Sequence, residues 1–316
     1  MWFSRHKAFF SVTYCFSLAL CLLWPAPSHA QSSSSAPETY QRALMYLTGH
    51  SVTQSFERAA ALFRQAANSG DSRGYFMLGY MYAAGIGLPQ DFSRAADCYR
   101  SAAAQGNTRA QNNLASLYQH GQGVPKEMRQ AIGWYTEAAT HGDPTAQANL
   151  GSIYFTGDGA DQDFHKAAYW FRLAADAGQP NAQNDLATMY FRGQGVPQDD
   201  AEAARLARSA AEKGLPAAQN NLGYLYEHGR GIPLDYVAAF AWYSRASRAG
   251  DQNATLRLAS LRQILTPKQL SQASILLADS APKRSAPAPS SPTYGAASDS
   301  SASVPTDTFA PEPPAN

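Results

Sequence analysis

The sequence predicts an all-α fold, a solenoid of helical hairpins stacked with a period of 36 residues. One observation is that a glycine closes each unit without any insertion or deletion. Another is a tyrosine column with the same period, and a third is that apolar residues within each unit recur at helical spacing. The glycines are Gly70, Gly106, Gly142, Gly178, Gly214 and Gly250, and the tyrosines are Tyr46, Tyr82, Tyr118, Tyr154, Tyr190 and Tyr226.

The first helix of a unit is clearest in "RAQNNLASLYQHGQGVP", residues 109–125. Ala110, Leu114 and Leu117 lie three or four residues apart, which places them on one face of a helix. The two glycines and Pro125 then end the helix, because glycine tolerates the left-handed conformation and proline cannot continue the hydrogen-bond ladder.

The second helix of the same unit carries Trp134 and Tyr135, and Gly142 ends it. Asp143 and Pro144 then start the next unit, as N-cap and first helical residue. An acidic residue recurs near the start of each second helix, where it complements the positive end of the helix dipole. These residues are Asp91, Glu127, Asp163, Asp199 and Asp235.

Short alanine-rich hairpins cannot bury their apolar face alone, whereas stacked copies bury a continuous core. The end units are expected to be atypical, because one side of each meets water. Indeed, Ser51 and Thr53 replace a glycine and a proline in the first unit, and a helix opened by Thr266 and Pro267 closes the array. Residues 37–278 are therefore predicted to form one solenoid of about six repeats plus C-terminal capping helices.

The pattern "AQxNLGxxYxxGxGVPxD…A…WY…AA…G" resembles the Sel-one-like repeat (SLR), a relative of the tetratricopeptide repeat. The resemblance covers residues 37–278. It implies a right-handed superhelix whose concave side holds protein partners, often in bacterial envelope assembly or adaptor complexes. A cysteine-rich branch of the family, with a disulfide in each repeat, is linked to β-lactam binding. This sequence lacks those cysteines, so that activity is not transferred to it.

The first thirty residues have the pattern of a secretory signal peptide. A basic start at residues 5–7 precedes the apolar run 8–24, and small residues lead to a cleavage site after Ala30. Residues 31–36 then form a short linker. The mature protein is predicted to be secreted or periplasmic, without stable insertion in the membrane.

The C-terminal residues 279–316 are rich in Pro, Ser and Ala, and residues 281–316 contain no Leu, Ile or Met. Such a segment cannot bury enough apolar surface to offset the entropy lost on ordering, so it is predicted to be disordered. It could serve as a spacer to the envelope or as a short partner motif, and both alternatives remain open.

Charge and cysteine content exclude some functions. Without residues 1–30, 23 basic residues face 24 acidic ones, a formal charge of −1. This balance gives no electrostatic reason to expect a nucleic acid partner. Cys98 is the one cysteine outside the signal peptide, so no internal disulfide can form, and its alanine-rich surroundings predict a buried apolar role.

No catalytic, cofactor-binding or metal-binding residue is predicted, and the protein is not expected to be an enzyme. His120 and His228 share a repeat position, but they lie three units apart and cannot share an ion. His141 and His165 lack partners at ligand spacing. The acidic segment 157–163 lacks the order of an EF-hand, and the GxG turns follow helices instead of strands.

Residues that vary between repeats are the candidates for binding. Positions equivalent to 112, 116 and 119 on each first helix are predicted to point away from the apolar stripe. Aromatic and amide side chains dominate there, as in recognition surfaces, although the aromatics could instead cover neighbouring units. The candidates are Phe76, Tyr80, Asn112, Ser116, Gln119, Phe155, Asn184, Thr188, Phe191, Asn220 and Tyr224.

A second polar column, one residue further along, consists of Asn113, Asn149, Asp185 and Asn221. It could clamp a peptide backbone, or it could satisfy polar groups between hairpins. The tryptophans of the second helices are assigned to the core. They are Trp134, Trp170 and Trp242.

These observations predict a non-catalytic protein-interaction scaffold in the bacterial periplasm or envelope, which holds an extended peptide or a partner helix in its concave groove. One alternative is a carbohydrate-binding scaffold for exopolysaccharide or peptidoglycan processes, in which the aromatic residues stack on sugars. Another is a hydrolase directed at β-lactams or peptidoglycan, which requires a nucleophile and a base that the sequence does not reveal.

Overall fold

The structure, a computed structural model, describes residues 35–279. The predicted signal peptide at residues 1–30, nearly all of the linker and the tail from residue 280 lie outside the described residues. Residues 35–279 contain fourteen α-helices and no strand, which confirms the all-α class. None of these described helices is long and apolar enough to cross a membrane.

The first twelve helices pair consecutively into six hairpins, and each hairpin packs on the next, as expected for a solenoid. The odd-numbered helix comes first in each hairpin, and almost every helix has thirteen residues. The helices are α1 (Ala36–Thr48), α2 (Phe56–Asn68), α3 (Ser72–Ala84), α4 (Phe92–Ala103), α5 (Thr108–His120), α6 (Met128–Thr140), α7 (Pro144–Thr156), α8 (Phe164–Asp176), α9 (Pro180–Arg192), α10 (Asp200–Glu212), α11 (Pro216–His228), α12 (Tyr236–Arg248), α13 (Gln252–Ile264) and α14 (Pro267–Asp279).

The core consists of the predicted apolar stripes. Ala110 and Leu114 on α5, and Ala131 and Ala138 on α6, have no exposed surface. Alanine at these positions lets the helix backbones approach closely, and the Tyr135 ring fills the space between them, being 1% exposed. Apolar packing between neighbouring hairpins therefore holds the stack together.

The second glycine of each GxG turn lies directly against the preceding hairpin. Gly123 has a φ of 68°, and a Cβ atom there would overlap the backbone carbonyl of Phe92 at the start of α4. Among the described residues no hairpin precedes the first unit, and Ser51 is the one non-glycine residue there with a positive φ, 63°. Steric contact between repeats thus explains why this glycine recurs and why the first unit can do without it.

The acidic residues near the starts of the second helices, predicted there for the helix dipole, occupy the N-cap positions. Asp91, Asp163, Asp199 and Asp235 each accept hydrogen bonds from backbone N–H groups in the first turn. Glu127 occupies the same position on α6, but its longer side chain makes no capping bond. These aspartates therefore pair with backbone N–H groups that would otherwise lack a partner at the start of four second helices. Helix α6 lacks this bond.

The tyrosine column connects hairpins through arginines. Arg64 donates to the Tyr82 hydroxyl at 3.3 Å, and Arg208 donates to the Tyr226 hydroxyl at 3.0 Å. The arginine lies eighteen residues before the tyrosine in each case, on the second helix of the preceding hairpin. These tyrosines therefore belong to the apolar stripe and also form a polar contact with the preceding repeat.

The tryptophans and Cys98 lie at the border of the core. Trp134, Trp170 and Trp242 are half-buried and pack against core clusters with only part of their surface, so the prediction of a core role holds in part. Cys98 is half-buried as well, and burial raises the pKa of its thiol to about 11. The thiol is therefore a poor nucleophile at neutral pH.

The stack ends at the C-terminal cap, where α13 and α14 both pack against α12. Leu256 on α13 stands at the position equivalent to Asn220, and its side chain is largely exposed. Asn220 itself, one unit earlier, is 3% exposed. The contrast shows that a following repeat is what encloses this position in the array.

Candidate partner-binding face

The candidate site is the face of α3, α5, α7, α9 and α11 that carries the varying residues, here called the odd-helix face. Five of the predicted residues on it are between 3% and 7% exposed, so their predicted outward orientation is wrong. Asn112 and Asn184 bond to the next odd-numbered helix, and the ring of Phe76 lies 6.1 Å from that of Tyr99 in its own hairpin. These five are Phe76, Asn112, Asn184, Thr188 and Asn220.

Asparagine pairs link neighbouring hairpins across this face. Asn149 Nδ2 donates to Asn112 Oδ1 at 3.0 Å, and Asn221 Nδ2 donates to Asn184 Oδ1 at 2.9 Å. The partners lie 37 residues apart, so the column of Asn113 bonds to the column of Asn112 in the preceding hairpin. Asn149 and Asn221 thus have a structural role, one of the two alternatives that the sequence left open.

A column of buried glutamines, which sequence reasoning missed, adds a second polar link. In each case Nε2 donates to a carbonyl near the end of the preceding hairpin, at 3.1 to 3.4 Å. The recurring "AQ" pair was the available signal. The donors and acceptors are Gln111 to Ala103, Gln147 to Ala139, Gln183 to Ala175 and Gln219 to Ala211.

In three hairpins the residue in the column of Gln119 matches the ring on the second helix of the same hairpin, whereas Tyr99 has Ala83 at the equivalent position. The Tyr135 hydroxyl donates to Gln119 Oε1 at 2.8 Å, and the Tyr243 hydroxyl donates to Glu227 Oε2 at 2.7 Å. Where the second helix has a ring without a hydroxyl, Phe171, the first helix has Phe155. Part of the variation that suggested partner recognition therefore satisfies internal hydrogen bonds.

Four of the predicted residues lie half-buried on the earlier repeats. Ser116 hydrogen-bonds the exposed His120 within α5, and the ring of Phe155 packs edge-on against Phe164 with centroids 5.2 Å apart. Tyr80 on α3 is half-buried, as is Asn113 on α5. These side chains are partly accessible but do not form one continuous cluster.

The later repeats bring aromatic and basic side chains together. The rings of Phe191 and Tyr224 meet edge to face with centroids 5.8 Å apart, and His228 stacks on Tyr224 at 4.1 Å. Arg230 lies 4.8 Å from the centroid of Phe191, and Arg257 lies 5.6 Å from that of Tyr224. These five residues, none of them fully buried, are called the aromatic–arginine cluster.

The two arginines of this cluster are held in place by carboxylates. Arg230 forms a bidentate ion pair with Asp200 and holds the pKa of that carboxyl below its usual range. Arg257 lies 3.8 Å from Glu227. Sequence reasoning missed both arginines, although Arg257 stands in the column of Asn113, Asn149, Asp185 and Asn221.

Asp185 is the exception in the second polar column. It is 8% exposed, and its hydrogen-bond partner is the neighbouring Asn184 side chain. No ion pair among residues 35–279 includes it. Burial raises the pKa of Asp185 to about 7.

The described residues contain no group of three or more His, Cys, Asp or Glu side chains that could hold a metal ion. The histidines named above are exposed, and each places its Nδ1 atom 2.8 to 2.9 Å from a backbone carbonyl oxygen. The carbonyls belong to Ser116 for His120, Glu137 for His141, Gly195 for His165 and Tyr224 for His228.

Stacked hairpins with a constant spacing between glycines define a helical-repeat protein of the solenoid class. Six consecutive segments match the model of the Sel1 repeat. The chain belongs to the Sel1 repeat family, as the resemblance in the sequence predicted. Sel1 repeat proteins are generally protein-interaction scaffolds. The matched segments are residues 39–71, 72–107, 108–143, 144–179, 180–215 and 216–251.

Two solved structures are similar in both sequence and fold. A protective antigen of uropathogenic Escherichia coli strains, which displays an SLR fold, is 36% identical with a TM-score of 0.59 over 79% of this chain. A Sel1 repeat protein from Oxalobacter formigenes is 32% identical with a TM-score of 0.67 over 73% of this chain. The match spans 62% and 66% of those two chains. No match was found among curated proteins.

Proposed function

We propose that this chain is a non-catalytic scaffold of the bacterial periplasm or envelope that binds an extended peptide or a partner helix on its odd-helix face. The observation that carries the proposal is the aromatic–arginine cluster on α9, α11 and α13. Aromatic residues and arginine are the types that contribute most binding energy in protein interfaces. The cluster also lies on the face that varies between repeats.

The cluster is preorganised for binding. Asp200 fixes Arg230, and the stacked His228 supports the Tyr224 ring. Side chains that are already held in one conformation lose less entropy when a partner binds. The remaining N–H groups of Arg230 and Arg257 are suited to the carbonyl or carboxylate oxygens of a peptide.

A carbohydrate-binding scaffold is the alternative, and the same geometry makes it less favourable. A sugar that stacks on an aromatic ring needs one open face of that ring. The Tyr224 ring has His228 stacked on it and Arg257 over it, and Arg230 lies over Phe191. The rings therefore support an interface with a protein better than a sugar platform.

Export of the protein rests on the pattern of residues 1–30 alone. The signal is a basic start, an apolar run and small residues before Ala30. N-terminal sequencing of the protein from a periplasmic or culture fraction tests it, with Gln31 as the expected first residue. Recovery of the protein with Met1 intact in the cytosol would contradict the proposal.

Substitution of the cluster tests the binding function. Affinity capture with tagged Phe191→Ala and Tyr224→Ala variants should lose a protein partner that the unchanged chain retains. Tyr169→Ala is the matched control, because Tyr169 is 59% exposed on α8, away from the cluster. Retained protein capture together with lost binding to purified peptidoglycan or exopolysaccharide would instead support the carbohydrate alternative. Nitrocefin turnover by the purified protein would contradict a non-catalytic role.

A further inference from the structure

The asparagine pairs between hairpins are interrupted at one junction. Asn112 accepts a hydrogen bond from Asn149, and Asn184 accepts one from Asn221. At the junction between α7 and α9, which contact each other directly, the equivalent residues are Ala148 and Asp185. Alanine has no amide to offer, so the carboxyl group lacks the partner that the flanking junctions provide.

The charged groups around Asp185 do not replace that partner. Helix α7 carries no charged side chain, and the bases on the two helices that pack against α9 on either side have other partners. These contacts are Lys166 with Asp163, Arg172 with Tyr190, His165 with Gly195, Arg205 with Glu202 and Arg208 with Tyr226. A buried carboxyl group without a counter-charge is costly unless another group compensates it.

We propose that Ala148 and Asp185 form a subsite for a cationic side chain, arginine or lysine, of the bound peptide. The cation takes the place over Ala148 that an asparagine side chain takes at the flanking junctions. There it donates to the Asp185 carboxylate. A planar guanidinium group matches a carboxylate with two parallel hydrogen bonds, which makes arginine the better fit.

The subsite deepens the proposed function and rests on it. It lies between α7 and α9, one junction before the aromatic–arginine cluster, on the same odd-helix face. A peptide that crosses the odd-numbered helices would thus present apolar or acidic groups to the cluster and a basic residue to Asp185. The spacing between the acidic and basic groups of the peptide would therefore set the register in which it binds.

Two variants separate a binding role from a structural role. Ala148→Asn introduces an asparagine, the residue type that this column has at Asn112, Asn184 and Asn220. The new side chain gives Asp185 an internal partner. Asp185→Asn removes the charge and keeps the shape. Both variants should remain folded, which circular dichroism and thermal unfolding check, and both should close the site to a cation.

A small probe tests the subsite directly. The probe is N-acetylarginine methylamide, with N-acetylcitrulline methylamide as the neutral isostere, and the readout is the ¹³Cγ signal of Asp185 in the full chain, assigned with Asp185→Asn. If the cation binds the ionised carboxylate, arginine at about ten times its Kd lowers the titration midpoint by about one pH unit. Citrulline should leave the midpoint unchanged, and arginine should not shift the midpoint of the Ala148→Asn variant. Equal shifts with both probes, or no shift with arginine, would overturn the subsite.

Capture of the natural partner distinguishes failure of the subsite from failure of the function. The expected result is that Phe191→Ala, Asp185→Asn and Ala148→Asn each reduce partner capture at least fivefold, whereas Tyr169→Ala does not. Loss of capture with Phe191→Ala but full capture by Asp185→Asn and Ala148→Asn would overturn the cationic subsite and leave the scaffold function in place. Full capture by all of the variants would overturn both.

Discussion

Tyr135 donates a hydrogen bond of 2.8 Å to Gln119, sixteen residues earlier in the same hairpin. The hydroxyl belongs to a ring that is 1% exposed, and burial raises the pKa of this tyrosine. Gln119 lies in a column that varies between repeats, and in three hairpins its residue matches the ring at the position of Tyr135. A residue that changes from repeat to repeat can therefore serve the core of its own hairpin.

Replacement of Tyr135 tests this internal pairing. Tyr135→Phe leaves Gln119 Oε1 without its donor and should lower the free energy of unfolding by about 1–2 kcal/mol in urea titrations. The double variant with Gln119→Phe recreates the Phe155 and Phe171 combination of the next hairpin and should recover part of this loss. Additive losses in the double variant would show that the two positions are independent.

The contact between Gly123 and Phe92 gives a prediction about stacking. Gly123→Ala adds a Cβ atom that overlaps the Phe92 carbonyl, and we expect a loss of about 3 kcal/mol or more in the free energy of unfolding. Gly142→Ala is the matched control, because Gly142 also has a positive φ, 86°, but a Cβ there meets nothing within 4 Å. It should cost only about 1–2 kcal/mol for the left-handed conformation. Equal losses for the two variants would argue against direct docking of the turn.

The buried carboxyl of Asp185 makes stability depend on pH. Its folded pKa of about 7 lies above the ordinary value of 3.8, so the unfolded chain releases this proton first. Stability should then fall as pH rises from about 4 to about 7, by at most roughly 1.4 kcal/mol per pH unit, and level off above that range.

Asp185→Asn removes this titration, so the variant should show a flatter profile and greater stability than the unchanged chain at pH 8. Unfolding in urea at several pH values measures the difference. The control is Asp97→Asn, the same substitution at an aspartate that is largely exposed on α4. A variant that keeps the full slope would show that another group causes it.

The repeat architecture was predictable from the sequence because its signals are local. Glycines at fixed spacing, acidic N-caps such as Asp91 and apolar stripes such as Ala110 and Leu114 each act within one hairpin or its neighbour. The same steric contacts recur in every repeat. A period of 36 residues therefore fixes the helices, their ends and the residues that pack between them.

The binding face was less predictable, because its exposure depends on distances between helices far apart in sequence. Asn112 and Asn184 are polar and variable, yet the next odd-numbered helix covers both. Conversely, Arg257 joins the aromatic–arginine cluster from a capping helix that lacks the repeat pattern. Helical periodicity gives the direction of a side chain but not what covers it.

The most direct test of the scaffold function is in-cell photo-crosslinking from position 228, next to Tyr224 in the aromatic–arginine cluster. A photoreactive residue in place of His228 should form a discrete adduct with one partner protein, and a second substitution, Tyr224→Ala, should abolish it. The same residue in place of Tyr169, exposed on α8, should not form that adduct. No adduct from position 228, or the same adduct from both positions, would contradict the account.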